Sequence, residues 1–593
     1  MMKQFWSTVL GSFVGMWIAL MLFSVFSIVM GIAFLGSMSD FGSSNVNKSA
    51  IEDQSVLHLN LYGYIDERST DKTKIMSFLN DEPMPNSLTD ILNAIEVAST
   101  DNRIKGIYIE CNGSTAGVTT LHEIRNALLK FKKDSNKFIY AYGDEIAEGD
   151  YYVASVADSI FINKIGTVDL HGIGGYNLFF KKLLDKLGIE MQVIKVGTFK
   201  SAVEPYILTE MSEANRLQTE HFLNNIWGEM CQGISQSRNI NVDKINMLAD
   251  SITWLQNTEY ILANKLADEA CYRNEFEQRL KAALFGDANS DKEICLVEPY
   301  ELTAEKISSD NSNKIALIYA VGEIDGSTDS GIISSELTEK ILKIANEENI
   351  KGVVLRINSP GGSAFGAEQI WAALEEVKKA GKPFAASMGD MAASGGYYIA
   401  CGADRIFAEP TTLTGSIGVF GVIPCIETLV EDKIGITQSI VKTNANTEFP
   451  LLSKKMTPMQ RASMQRMVNE TYELFVARCA TGRNTTCDSI KSIAEGRVWD
   501  GISAKEIGLI DEFGNTQAAI EWVANQAGIS DYDIVAAPDE NFKLSDYVFQ
   551  YMEIKAEQRL ESEANPLYKY HKEIAGILSR DPIQCLMEPI EIR

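Results

Sequence analysis

From Phe5 to Met38 the chain carries no Asp, Glu, Lys or Arg, and most positions are Leu, Val, Ile, Met, Phe, Trp or Ala. Spanning a bilayer takes about 20 apolar residues, and this run exceeds that with room for tilt. A cleavable leader has a shorter apolar region of about 7–15 residues and an A-x-A-like cleavage site. The pattern therefore predicts one uncleaved N-terminal transmembrane helix. Lys3 before the run and Asp40 after it orient the N-terminus inside and the bulk of the chain outside. Gly42–Lys48 (GSSNVNK) reads as a polar linker.

Beyond the linker, short apolar runs alternate with stretches of helical spacing. Ile315–Ala320 (IALIYA) and Gly352–Ile357 (GVVLRI) have the β-rich character of buried strands. Ser335–Glu348 between them has the apolar spacing of a helix. Ala367–Lys379 is a second amphipathic helix, and Pro383–Met388 a further strand. This βαβα order predicts an α/β fold with largely parallel sheets and helices packed on them.

The pattern occurs twice. Ile104–Ile107 (IKGI) matches Ile350–Val353 (IKGV), and one constant offset also pairs Gly143-Asp144 with Gly389-Asp390. The same offset pairs Tyr151-Tyr152 with Tyr397-Tyr398, Ala157-Asp158 with Ala403-Asp404, and Ile160-Phe161 with Ile406-Phe407. The period is too long for a solenoid and implies a duplicated domain. The expected organisation is an anchor and linker over residues 1–45, a first repeat over 46–286, an inter-repeat linker over 287–313, a second repeat over 314–530, and a partly helical tail over 531–593.

Composition adds exclusions. With 593 residues the chain exceeds what one core supports. A formal net charge of −26 argues against a nucleic-acid partner, which needs a basic surface. Nine cysteines, from Cys111 to Cys585, include no C-x-x-C pair and no zinc-type spacing, so most read as small buried hydrophobes. No metal-binding motif occurs, and no cofactor is expected.

Two connections follow strands and open helices, where sites form in such folds. Asn358–Ser363 (NSPGGS) offers backbone N–H groups at a helix start. Ala393–Tyr398 (ASGGYY) sets Ser394 at a tight turn, with Gly395 and Gly361 or Gly362 able to supply an oxyanion hole. Taken singly, each also reads as a glycine turn with a capping serine.

Together with TGSIGV at Thr414–Val419 and VGTFKSAVEPY at Val196–Tyr206, these pieces resemble the signal peptide peptidase A family in its long, two-repeat, membrane-anchored form. The resemblance implies two tandem Clp protease/crotonase-like repeats and a serine endopeptidase with a Ser-Lys dyad. On that pattern Ser394 is the nucleophile, Lys200 the general base, Ser416 the hydroxyl that orients the amine, and Gly361, Gly362 and Gly395 the oxyanion glycines. It further implies remnant signal peptides as substrates and a homo-oligomer, a tetramer in the family. The expected location is the inner (cytoplasmic) membrane, touching lipid through residues 5–38, with the catalytic body outside the cytoplasm.

The duplication bears independently on a split site. Ser394 aligns with Glu148 and Lys200 with Thr447, so each repeat lacks one member of the dyad. The first repeat has Asn112–Gly117 (NGSTAG) where the second has its glycine turn. A lysine with pKa about 10.4 is neutral in only about one molecule in 2,500 at pH 7, so Lys200 must be buried to serve. Glu204 lies close in sequence and must point away from the amine. Among five histidines, His171 in DLHGIG is the alternative base because it matches the region near Ser416. A crotonase-type acyl-CoA enzyme and a non-catalytic membrane scaffold are the readings from other classes.

Overall fold

The computed structural model describes residues 51–69, 86–304, 311–326, 331–537, 583–587 and 591–592. The apolar run at 5–38 and the tail segment 544–578 lie outside the described residues. Among the described residues no helix is long and apolar enough to cross a membrane.

The first repeat is a parallel sheet. Strands β1 (Ser55–Gly63), β2 (Ile104–Ser114), β3 (Phe138–Ile146) and β4 (Ser159–Val168) pair in the order β4-β3-β2-β1. Two-residue strands, Glu269–Ala270 and Leu296–Val297, flank them in the same sense. Leu57, Leu59 and Leu61 enter the core on one face, while Val56 joins the opposite cluster of Tyr108, Tyr142, Phe161 and Phe276. Both faces are covered, as parallel sheets require. Helix α1 (Leu88–Thr100) starts where the Ser87 hydroxyl accepts from the Asp90 N–H, and it buries Leu88, Ile91, Ala94, Ile95 and Ala98 along one stripe. Helices α2 (Val118–Asp134) and α3 (Glu148–Ala154) follow β2 and β3. Strand β5 (Glu190–Val196) leaves the sheet, and the long α4 (Glu213–Arg238) comes after it.

The polar stretch expected as a linker contributes to the first sheet, because Leu296–Val297 pairs with β1. The second repeat then builds β6 (Lys314–Val321), α5 (Ser334–Asn346), β7 (Ile350–Ser359), the short β8 (Gly361–Ser363), α6 (Ala364–Lys379), β9 (Phe384–Ala393) and α7 (Gly395–Ala400). It continues through β10 (Leu413–Gly415), β11 (Val419–Cys425), β12 (Val498–Asp500), α8 (Thr516–Ala527) and β13 (Asp533–Ala537). The sheet order is β12-β10-β9-β7-β6-β13, parallel except for β10 with β12. Residues of β6 alternate: Ala316, Ile318 and Ala320 face one core, and Ile315, Leu317 and Tyr319 meet Ala519, Ile520, Val523 and Ala524 of α8. The sheet thus runs past residue 530 into β13.

A third, antiparallel sheet joins the repeats. Its order is β8-β14-β11-β5, where β14 is Ile583–Leu586 of the tail. Strand β5 of the first repeat pairs with β11 of the second over Val419↔Val196 to Cys425↔Glu190. Nearby, Arg356 is fully buried and bridges Glu67 (2.8 Å) and Glu123 (2.7 Å) of the first repeat. The Asp390 carboxylate accepts from the Thr119 and Thr120 N–H groups at 2.9 and 3.0 Å, capping α2 across the interface.

Candidate active site

Ser394 sits between β9 and α7 with φ 55° and ψ −112°, a conformation costly for a residue with a Cβ. It is held there because its N–H donates to the Gly415 carbonyl and its own carbonyl accepts from the Tyr398 N–H, both at 2.8 Å. Ser416 is likewise left-handed, at φ 50°, with its N–H on the Arg497 carbonyl (2.7 Å).

Lys200 arrives from the first repeat, in the loop after β5. Its Nζ donates to Ser394 Oγ at 2.8 Å and lies 3.1 Å from both the Oγ and the carbonyl of Ser416. All three residues are buried. Burial disfavours the ammonium form and brings the amine down to about 7, against a smaller opposing effect of the Cys585 thiol. The Glu204 carboxylate turns away, as the chemistry demands: it accepts from the Ser212 N–H and hydroxyl and from Asn215 Nδ2.

Several residues that the motifs did not single out hold the lysine. A methyl group on Gly496 would lie 2.6 Å from Lys200 Cβ, and one on Gly418 would lie 3.2 Å from Lys200 Cδ. Both glycines therefore leave room for the alkyl chain to thread between the repeats. Gln218 of α4 donates to the Phe199 carbonyl and Ser201 Oγ at 3.3 Å while accepting from the Val498 N–H at 3.1 Å. Gly418 falls inside the TGSIGV run, but Gly496 and Gln218 signal only as a glycine in a loop and a glutamine on a helix, which local patterning cannot distinguish from ordinary examples.

The three candidate oxyanion glycines converge. A methyl group on Gly395 would stand 3.1 Å from Gly361 Cα and 3.2 Å from the Gly362 N. The Gly361 N–H is directed to Ser359 Oγ at 3.2 Å, so Gly362, which pairs with Cys585 of β14, and Gly395 remain the candidate donors. Gly395 is the first residue of α7, so its N–H has no partner within the helix.

In the first repeat the corresponding positions are closed by acids. Asp150 accepts from the Gly113 and Ser114 N–H groups (2.9 and 3.2 Å), and Glu148, opposite Ser394 in the duplication, accepts from the His171 and Gly172 N–H groups. The His171 ring bonds Asp169 at 2.8 Å. His58 lies between Glu110 and Glu298, His122 against Tyr152, and His221 against Ser503. His571 lies outside the described residues. No disulfide joins the nine cysteines, most of which are buried.

A buried serine with a neutralisable amine on its hydroxyl and two N–H groups beside it can run acyl transfer. Comparison with known proteins agrees. Residues 131–284 and 376–530 match the model of peptidase family S49, and residues 315–412 match that of Clp protease. The chain is 34% identical to Protease 4 of Haemophilus influenzae over 546 residues, covering 87% of this chain and 88% of the relative. It is 33% identical to Protease 4 of Salmonella typhi, covering 91% and 90%. It is 29% identical to the chloroplastic serine protease SPPA of Arabidopsis thaliana, covering 80% and 69%.

Proposed function

The chain belongs to peptidase family S49 and is a serine-type endopeptidase of the long, two-repeat kind, and from that premise we propose that it works through a Ser-Lys dyad split between its repeats. Neutral Lys200 takes the Ser394 proton as Oγ attacks a peptide carbonyl. The N–H groups of Gly362 and Gly395 stabilise the oxyanion, and Ser416 keeps the amine aimed at Oγ. Lys200 then protonates the leaving amine, and water, deprotonated by the same lysine, hydrolyses the acyl-enzyme. The observation that carries this reading is the buried 2.8 Å contact of Lys200 Nζ with Ser394 Oγ, on an amine brought down to about 7.

The substrates on this reading are remnant signal peptides or other membrane-associated peptides. The apolar run at 5–38 supports membrane attachment, with the catalytic body outside the cytoplasm. The partner is a further copy of the chain, as a tetramer, in keeping with the family resemblance.

Fluorophosphonate labelling of wild type, Ser394→Ala and Lys200→Ala, with the modified residue mapped by mass spectrometry, tests the dyad. Labelling at Ser394 that vanishes in both variants is expected. Labelling that survives Lys200→Ala would move the base elsewhere, and a folded wild type that takes no label would sink the mechanism.

A further inference from the structure

The amide of Gln218 stands between the two halves of the site. Gln218 is fully buried in α4, with the loop that carries Lys200 on one side and β12 of the second repeat on the other. Its Nε2 donates to the Phe199 carbonyl and to Ser201 Oγ, both at 3.3 Å, and to Asn215 Oδ1 at 3.1 Å. Its Oε1 accepts from the Val498 N–H at 3.1 Å. A backbone N–H can only donate, so this contact fixes which end of the amide is the oxygen.

These contacts close a circuit. The Phe199 carbonyl belongs to the same peptide group as the Lys200 N–H, so Gln218 grips the lysine at its backbone. The Val498 N–H belongs to the same peptide group as the Arg497 carbonyl, and that carbonyl accepts from the Ser416 N–H at 2.7 Å. Ser416 in turn takes the Lys200 amine on its carbonyl and its Oγ, both at 3.1 Å. The backbone of the lysine and the hydroxyl that aims its amine are therefore tied through one side chain and one peptide group. Hydrogen bonds linked in this way polarise and strengthen one another.

Helix α4 holds the far end of the loop as well. Asn215, one turn before Gln218, donates from Nδ2 to Glu204 Oε2 at 3.2 Å. Glu204 also accepts from the Ser212 N–H at 3.1 Å and from its hydroxyl at 2.6 Å, at the start of the helix. Both Asn215 and Glu204 are buried. Phe199 and Glu204, on either side of Lys200, are thus fixed to a single helix. Such a frame matters because a lysine stem is flexible, and a neutral amine has no ion pair to hold its tip. Among the described residues no carboxylate pairs with the Lys200 amine. A glutamine that only satisfied a buried loop carbonyl would need its N–H alone. This one directs its donor to the lysine loop and its acceptor to the strand that supports Ser416. The separation of those two parts decides whether the amine reaches Ser394 Oγ.

We infer that Gln218 is a positioning residue for the reaction, setting the separation between the Lys200 backbone and Ser416 so that the amine meets Ser394 Oγ. The inference rests on the Ser-Lys reading. Gln218 touches neither the nucleophile nor the amine, and it gains and loses no proton. Its effect falls on the rate of the chemical step and leaves substrate binding alone.

Steady-state hydrolysis of a fluorogenic peptide by the full chain tests this. Gln218→Met keeps the length and loses donor and acceptor; Gln218→Glu keeps the acceptor for Val498 and loses the donor. Each is expected to lower kcat by about 10²-fold, the scale of a misplaced catalytic group, with KM unchanged. Ser416→Ala is expected to lower kcat too. The double variant Ser416→Ala/Gln218→Met should fall no further than the worse single variant, because both changes release the same tie. Wild-type kcat in a folded Gln218 variant, or a loss carried by KM, overturns the inference. So do losses that multiply in the double variant, the pattern of a residue that merely stabilises the fold. Where Gln218→Met does not fold, Gln218→Glu takes its place in the cycle. Wild-type hydrolysis by Lys200→Ala overturns instead the dyad reading beneath it.

Discussion

At the scale of single residues, Lys200 links stability to pH in a definite direction. Its amine falls from an ordinary 10.5 to about 7 in the fold because it is buried. Between these values the unfolded chain binds more protons than the native one, so stability rises with pH across that window. Below pH 7 the fold bears the full cost, on the order of 5 kcal/mol. Lys200→Met is therefore expected to abolish peptide hydrolysis yet to be the more stable protein at pH 6 by urea denaturation. Its advantage should shrink steadily toward pH 10. A variant less stable than wild type at pH 6 would show that the amine is held as a paired cation, unsuited to act as a base. The same residue explains what a motif can and cannot reveal. GTFKSA singles out the lysine, but Gly496, which helps to make its channel, carries no local mark because its constraint comes from a chain segment about 300 residues away.

At the scale of elements, the two repeats meet through β5 on β11 and through the buried cluster around Arg356. One guanidinium faces Glu67 and Glu123 directly, with Glu409 close to Glu123 and His122. His122 is pushed down to about 4 by burial and supplies no second cation. Burial raises the Glu123 and Glu409 carboxyls, so the fold holds protons that the unfolded chain releases. Their contribution is present at acid pH and is lost as pH rises above the ordinary carboxylate range through neutrality, opposite in sign to that of Lys200. Arg356→Met removes the cation and leaves the acids buried; a loss of about 3–5 kcal/mol is expected in chemical denaturation, larger at pH 8 than at pH 5. A loss that does not grow with pH would mean that the acids keep their protons throughout. These elements were differently legible. The strands and helices of the second repeat follow from hydrophobic alternation because both faces of each sheet are covered, and β6, α5, β7, α6 and β9 fall where the pattern puts them. Strand β14 was not legible. Ile583–Leu586 is four residues with no periodic context, and only its two partner strands, both distant in sequence, make it a strand.

At the scale of the whole molecule, duplication and divergence have left one site where two could stand. The sequence comparison of the halves already implied this, since Glu148 replaces the serine and Thr447 the lysine. What it could not reveal is how the first repeat's turn is filled. The carboxylate oxygens of Asp150 and Glu148 accept from four backbone N–H groups, so that half is satisfied without a ligand and has become a support. Its remaining contribution is to deliver Lys200 on the loop after β5, and that delivery depends on the β5–β11 pairing and on Gln218. A chain cut between Ala304 and Asn311 tests the dependence directly. Expressed alone, the C-terminal piece keeps Ser394, Gly362 and Gly395 but lacks Lys200, and on the proposed split dyad no fluorophosphonate labelling is expected. The N-terminal piece has the lysine and no nucleophile. Mixed or co-expressed, the two should pair through the seven-residue β5–β11 ladder and the Arg356 cluster, and labelling at Ser394 should return. Labelling of the C-terminal piece alone would mean that the second repeat activates its own serine, and the split dyad would fall with it.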